Sequence, residues 1–435
     1  GMWTNFLAMI YYGFLLRREN RLITYHHFGC MMFFVLVNSG SVFCSMNKLF
    51  WVIFFSFSFL VGQTFFTVPK SVWRFSIMNH VGSGNWIGSG GLFNKGIRDI
   101  AFMANDSTMA ALVHRTSKLS FNRRDVKIEF GLSPRMTFSL HVPSYSSFSE
   151  EIGWSKDIEV DSLTTNLDSL LAFYYPKNKS STGLGDATLA MNILLFGFPS
   201  WSGKEPFSVY AGLGIRLPSG KRLGPYRANA KDKSGIPNQF NELPIGNGLA
   251  RYSLSLFGEF FKYFNERLVN INWRVERAKY SREMVNTPVS FLWGAETDPD
   301  SITAMIGKTY LRQLGDELLL SATGKLELWP DRVSITGGIN SIRTQKDFVY
   351  SNDPSWDSWM VSRQHNGETV HDTRKTQIRQ YLLFTLHNVH PTKSIGPVQF
   401  DIELGASFPY FTRHTYSLSS AWVGIRAYFL SLIHI

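Results

Sequence analysis

The chain predicts an all-β fold: a transmembrane, antiparallel, up-and-down β-barrel of 12 to 14 strands, with a short helix in one long loop. Three observations carry that expectation. First, the composition is aromatic-rich, with 36 Phe and 15 % aromatics against only 18 % charged residues. The mean hydropathy is nevertheless −0.07, far below that of a helical membrane protein. Second, segments of roughly ten residues alternate apolar and polar, the length a tilted strand needs to cross a bilayer. Third, the links between those segments alternate between short and long, as the two ends of an outer-membrane barrel do.

The alternation is clearest in three places. In 184–197, Ala187, Leu189, Met191, Ile193 and Leu195 share one face, with Asp186, Thr188, Ala190 and Asn192 on the other. In 207–217, Phe207, Val209, Ala211, Leu213, Ile215 and Leu217 oppose Ser208, Tyr210, Gly212, Gly214 and Arg216. In 398–408, Val398, Phe400, Ile402, Leu404, Ala406 and Phe408 oppose Gln399, Asp401, Glu403 and Ser407. The same pattern marks 124–132, 135–142, 250–263, 268–277, 317–328, 332–341, 376–388 and 417–429, and a weaker one begins near Trp73. Two poorer segments, 288–294 and 302–311, raise the count from 12 to 14, and either total is even.

Short links fall at Ser133-Pro134, Asn265-Glu266 and Trp329-Pro330-Asp331, and moderate ones near 198–206 and 390–396. Long links fall at 82–123, 143–183, 218–247 and 342–375. The short ones are expected in the periplasm and the long ones outside. Within 160–174, Val160, Leu163, Leu167, Leu170, Leu171 and Tyr174 recur at helical spacing. That helix would lie at the rim or fold inward to narrow the lumen.

Export signals frame the barrel. Met46-Asn47-Lys48 followed by an uncharged run from Leu49 to Gly62 is the layout of a secretory signal, expected over 46–68 with cleavage between Gly62 and Pro69. A transmembrane anchor is the competing reading. Residues 1–45 are expected to be leader sequence or an over-extended reading frame, with a hairpin anchor as the alternative. Both cysteines, Cys30 and Cys44, precede Met46, so the region expected as the mature barrel, 69–429, has none, which suits an oxidising compartment. The last strand alternates up to Phe429, which fits the terminal aromatic that barrel-assembly machinery recognises. Leu430 to Ile435 has the character of an artefactual tail, similar to translated adaptor sequence.

Gly183-Leu184-Gly185-Asp186-Ala187-Thr188-Leu189, with Leu217-Pro218-Ser219-Gly220 after the next strand, resembles the outer-membrane barrels of the phenol meta-pathway transporter family and a related uncharacterised barrel family. These are in turn similar to long-chain fatty-acid channels. The family pattern has Thr and Asp where this chain has Ser219 and Lys221. The resemblance covers 183–221 and implies passive uptake of small solutes, hydrophobic or aromatic ones among them. On the residues alone, Gly183 and Gly185 serve a tight approach to a strand, and Pro218-Ser219-Gly220 a turn.

No phosphate-binding loop, dinucleotide fingerprint, zinc-protease motif or nucleophile elbow occurs in the region after the signal. The glycines at 82–84 and 88–91 suggest a flexible loop. Ser139 and His141 share a strand face about 7 Å apart, too far for a nucleophile and its base. His387 and His390 have no third metal ligand nearby, and Gln364-His365-Asn366-Gly367 lacks a serine. No enzyme activity, cofactor or metal is expected.

Charges of both signs fall on the polar faces: Asp125, Lys127, Glu129, Arg135, Asp186, Arg216, Arg274, Glu276, Lys325, Glu327, Arg332, Asp401, Glu403 and Arg426. Asp186, Arg216, Arg332, Asp401, Glu403 and Arg426 are the candidate lumen-lining residues. They would serve as cross-strand ion pairs, as a polar solute path, or as both. The net charge of +11 is spread along the chain, which favours lipopolysaccharide or anionic solutes over nucleic acid. The expected partners are outer-membrane lipid and lipopolysaccharide, the barrel-assembly machinery and a small-molecule solute. Two functions follow for the bacterial outer membrane: a channel for small solutes, or a structural, surface-interacting barrel with a plugged lumen. Mass spectrometry of the membrane-inserted protein should find an N-terminus between residues 63 and 69; peptides from 1–45 still attached would refute the signal assignment.

Overall fold

Alternation makes each strand two-faced, and only closure into a ring leaves no backbone edge facing lipid. The computed structural model shows that outcome. It describes residues 66–88, 97–103, 110–156, 178–202, 206–226, 242–265, 267–288, 299–365, 368–388 and 398–430. Twelve antiparallel strands build the wall. They are β1 (Val72–Ile87), β2 (Ala110–Ser133), β3 (Met136–Lys156), β4 (Thr188–Gly197), β5 (Phe207–Arg216) and β6 (Arg251–Phe264). The ring continues with β7 (Arg267–Tyr280), β8 (Glu317–Trp329), β9 (Val333–Thr344), β10 (Lys375–Asn388), β11 (Gln399–Arg413) and β12 (Thr415–Leu430).

Neighbours in sequence are neighbours in space, and β12 pairs with β1 from Val72↔Leu430 to Ile87↔Thr415. The ring closes where β7 lies against β8, tied by Asn272 Nδ2 donating to Thr323 Oγ1 at 3.3 Å and Leu268 N–H to Glu327 Oε2 at 3.0 Å. All twelve well-patterned segments are strands of the wall. The two poorer ones are not. Residues 302–311 divide between a helix, α1 (Pro299–Ile306), and a short strand, Thr309–Gln313, and 289–294 lie outside the described residues. Twelve, not 14, is therefore the strand number.

The faces sort as the alternation requires. Phe75, Ile77, Leu213, Leu254, Leu404, Val423 and Ile425 point outward and are exposed, while Arg74, Glu129, Lys325, Asp401, Glu403 and Arg426 are buried inside. Phe196, Phe207, Phe264, Trp329 and Phe429 stand exposed at the end with the short turns, an aromatic girdle of the kind that sits at a membrane interface. Those turns use left-handed residues suited to them, Asn265 at φ 47° and Asp331 at φ 58°. No described helix is long and apolar enough to cross a membrane. A closed ring with an apolar outside and an ionic inside spans the bacterial outer membrane.

Two expectations about loops need correction. The strands run well past the bilayer: β2 has 24 residues and β3 has 21, so much of 82–123 and 143–183 is wall, not loop. The cause is pairing on both sides, since residues 118–123 of β2 meet β1 and β3 together. Gly82-Ser83-Gly84 is likewise strand. A side chain at Gly84 would collide with the Ser417 backbone on β12, so the glycine permits close approach rather than flexibility. The helix expected over 160–174 lies outside the described residues; the described helices are α1 and α2 (Pro354–Val361), both in long loops.

Leu213→Arg should lower the folded yield in lipid vesicles, since a cation at the bilayer midplane costs about 2–4 kcal/mol. Ser255→Ala, facing the lumen beside it, should fold as the parent does. Gly212→Ser would be a poor control, because its new Cβ would meet Ser255 Oγ. Equal yields for Leu213→Arg and Ser255→Ala would reverse the facing of β5.

Candidate functional site

The lumen has two parts of different character. The half nearest the short turns is filled. Arg74 donates through Nε and Nη2 to Glu129 at 2.5 and 2.8 Å, and Lys127 sits 2.8 Å from the same carboxylate. On the adjoining strands β12 and β11, Arg426 lies 2.5 Å from Glu403 and 3.6 Å from Asp401, and Tyr428 donates to Asp401 at 2.7 Å. His387 Nδ1 reaches Asp401 at 2.9 Å, while its Nε2 meets Ser334 Oγ at 2.8 Å and Lys325 Nζ at 3.2 Å. With Lys325 charged, Nε2 must accept and Nδ1–H must donate to Asp401.

Ser334, His387 and Asp401 thus have the spacing of a nucleophile, a base and its orienting acid. Their surroundings argue for a strut. Ser334 is 1 % exposed, and Lys325 competes for the lone pair that a general base needs free. The wall amides that could stabilise an oxyanion are spent on the β-ladders. Ser139 and His141 do not meet either. Ser139 bonds the Ala190 carbonyl, and His141 lies 3.3 Å from Asp125. Among the described residues no three metal-ligating side chains converge.

The segment before β1 completes this filling. The Phe66 ring lies 4.6 Å from Phe257 and 5.5 Å from Tyr210, both facing inward. Asn192 Nδ2 donates to the Phe66 carbonyl at 3.0 Å, Trp201 Nε1 to Thr67 Oγ1 at 3.3 Å, and Val68 N–H to Thr137 Oγ1 at 2.8 Å. Phe66, Thr67 and Val68, the end of the expected signal segment, are therefore packed within the barrel; the rest of that segment lies outside the described residues.

The other half opens into a cavity of about 450 Å³ at the mouth. Its walls come from several elements. Trp86 and Tyr416 stand on β1 and β12, edge to face at 5.1 Å. Met284 and Asn286 come from a small sheet, Glu283–Asn286 with Thr309–Gln313 and Phe348–Tyr350, which also places Tyr310 and Arg312. Trp359 and Met360 come from α2. That helix starts where Asp353 accepts from Ser355 N–H at 2.8 Å and Pro354 fits the first turn. Buried Trp356 then locks it against Tyr310 at 5.0 Å.

The glycine motif holds in place the 220–246 crossing, from which Arg222 and Gly246 line this cavity. Asp186 Oδ1 accepts the Gly220 N–H at 2.9 Å, and Ser219 Oγ accepts the Ala187 N–H at 2.9 Å. The Lys221 carbonyl accepts both Ile245 and Gly246 N–H at 2.9 Å. A side chain on Gly220 would meet the Asp186 carboxylate and the Gly246 backbone, so two backbones and one carboxylate converge at one point. Ser219 in place of Thr still makes its bond, and position 221 contributes through its backbone.

The candidate residues are thereby distributed. Asp401, Glu403 and Arg426 come together in the filled half. Arg216 lies higher, its Nη2 donating to Tyr280 OH at 2.6 Å. Asp186 ties two loops at the mouth. Arg332 sits in the β8–β9 turn, where its N–H bonds the Trp329 carbonyl and its own carbonyl accepts the His387 N–H at 2.8 Å. Phe429 faces outward against Phe75 at 5.7 Å. Sequence reasoning missed Arg74, Ser334, His387, Tyr428 and the Phe66 wedge. The only signal for them is strand register, which sets Asp401 opposite both His387 and Arg426.

At the rim, burial works against the Asp372 charge, yet the Arg374 guanidinium and backbone N–H hold its carboxyl below the usual carboxylate range. Burial pushes the neighbouring His414 imidazole down, which keeps it neutral.

No family model and no curated protein matches the chain. Solved structures do. The COG4313 outer membrane channel from Pseudomonas putida F1 is 10 % identical with a TM-score of 0.46, over 85 % of this chain and 100 % of that one. The translocator domain of the autotransporter NalP from Neisseria meningitidis is 10 % identical with a TM-score of 0.35, over 84 % and 88 %. The CymD monoaromatic hydrocarbon channel is 9 % identical with a TM-score of 0.31, over 83 % and 88 %.

Arg426→Met should leave Asp401 and Glu403 buried without their cation, at a cost of about 3–5 kcal/mol. The urea midpoint in vesicles should fall accordingly. The triple variant Arg426→Met, Asp401→Asn, Glu403→Gln should recover most of that loss. An unchanged midpoint for the single variant would show that water reaches the cluster.

Proposed function

We propose that this barrel is an outer-membrane channel for passive uptake of small solutes, held closed at its periplasmic end. The observation that supports it is the cavity at the extracellular mouth, set above a lumen whose inward side chains are polar or charged through much of its length. A cavity of this size is within the range that holds small organic molecules. Its lining of Trp, Tyr and Met beside fixed charges suits solutes with an apolar body.

The closing elements are the Phe66 wedge against Tyr210 and Phe257 and the Arg74–Glu129 and Arg426–Asp401–Glu403 groups. Phe66 is held by one side-chain amide and by ring packing, not by the β-ladder, so it can leave without opening the wall. On this reading, processing of the export signal falls before Phe66, so that the wedge stays with the mature chain. Phe429 closes the last strand where the assembly machinery would read it.

The filled periplasmic half also favours a second reading, a structural barrel whose ion pairs never part. Planar-bilayer recordings separate the two. The parent should show rare, small openings, and Phe66→Ala should raise the open fraction several-fold. Arg216→Glu should shift the reversal potential in a salt gradient toward cations, since a confined lumen amplifies a fixed charge. No conductance in any of the three would leave the structural barrel as the answer.

A further inference from the structure

The charges around the mouth cavity are unequally occupied. Its four acids are all engaged. Asp347 Oδ2 takes Arg312 Nη2 at 3.0 Å, and Glu242 accepts the Gly224 N–H at 2.8 Å. Glu150 accepts from Ser117 and Tyr416 hydroxyls at 2.6 and 2.7 Å and lies opposite Lys179 across the β-ladder, and Asp372 holds Arg374. Lys375 differs. It opens β10, lines the cavity, and has no hydrogen-bond acceptor or ion-pair partner among the described residues. The carboxylates that act on it from the facing elements, Asp347 and Glu317, are held by Arg312 and by Arg251 with Tyr280. Across the cavity, Arg222 spends one Nη2 donor on the Pro218 carbonyl.

We propose that the cavity binds an amphipathic monoanion, a monocarboxylate with an apolar or aromatic tail, whose carboxylate sits on Lys375 and whose tail lies among Trp86, Tyr416, Trp359 and Met360. This deepens the channel reading by naming the solute class, and it rests on that reading for the cavity's role in uptake. The chemistry is complementary on both counts. An ammonium partly withdrawn from water with no acceptor is costly until an anion reaches it. The aromatic and thioether walls offer contact to a tail but no polar group that would prefer water there. A neutral hydrocarbon would leave Lys375 unanswered, and a polyanion would face the four acids at short range.

The test uses the full-length protein in detergent with 3-phenylpropionate, its neutral analogue 3-phenylpropan-1-ol, and phenyl phosphate, followed by tryptophan fluorescence. The carboxylate should bind at least tenfold more tightly than the alcohol. Lys375→Met should remove that preference while leaving alcohol binding as in the parent, which also reports an intact cavity. Lys375→Arg should keep most of it. Equal binding of acid and alcohol, or a preference that survives Lys375→Met, would overturn the assignment. Tighter binding of phenyl phosphate by more than tenfold would replace carboxylate with phosphate. Binding is read without conductance, so a silent bilayer would refute the channel while leaving the ligand class standing.

Discussion

In hydrocarbon, an unpaired backbone N–H or C=O has no water to fall back on, and nearly every feature of this molecule follows from meeting that constraint with strands. Strands pair laterally, so they must close into a ring. The ring gives each strand one face toward lipid and one toward the lumen, and the period-2 alternation of apolar and polar residues is the record of that division. With twelve strands the lumen is narrow. Inward side chains of neighbouring and next-neighbouring strands meet at one end. The Arg74–Glu129 pair on β1 and β2 and the Arg426–Glu403 pair on β12 and β11 belong to one patch of wall because β12 returns to β1.

That closure also explains the division of the lumen. Near the short turns, the strands end together and their last inward residues are long and charged. They fill the bore, and a wedge from the chain before β1 takes the remaining space between Tyr210 and Phe257. At the other end, the strands outrun the bilayer and the loops turn inward on a small sheet and α2. Aromatic residues join the ion pairs there, and space remains.

The wall was readable because alternation is local: all twelve of its strands can be marked from residues two apart. Strand ends were less so. Beyond the bilayer, β2 and β3 no longer face lipid, their alternation weakens at Ser117, Leu119 and Phe121, and only pairing with neighbours keeps them extended. The central cluster was half readable. Asp401, Glu403 and Arg426 declare themselves as charges on an apolar-alternating strand. Whether they would meet one another or a solute depended on register, and so did the addition of His387, Ser334 and Lys325. The Phe66 wedge carried no signal, because it precedes the first strand and resembles the apolar run before it. Arg332 lies at the edge of a strand pattern, in the turn before β9, where its backbone carbonyl meets His387.

The height of β2 has a further consequence. At about 3.3 Å per residue and a tilt near 40°, 24 residues rise roughly 60 Å, against an apolar band of about 25 Å. The mouth cavity is therefore carried on a collar that stands clear of the bilayer. On the proposed uptake reading, a solute would meet Trp86 and Tyr416 before it reaches the level of the bilayer, so that capture and dehydration would fall at separate heights.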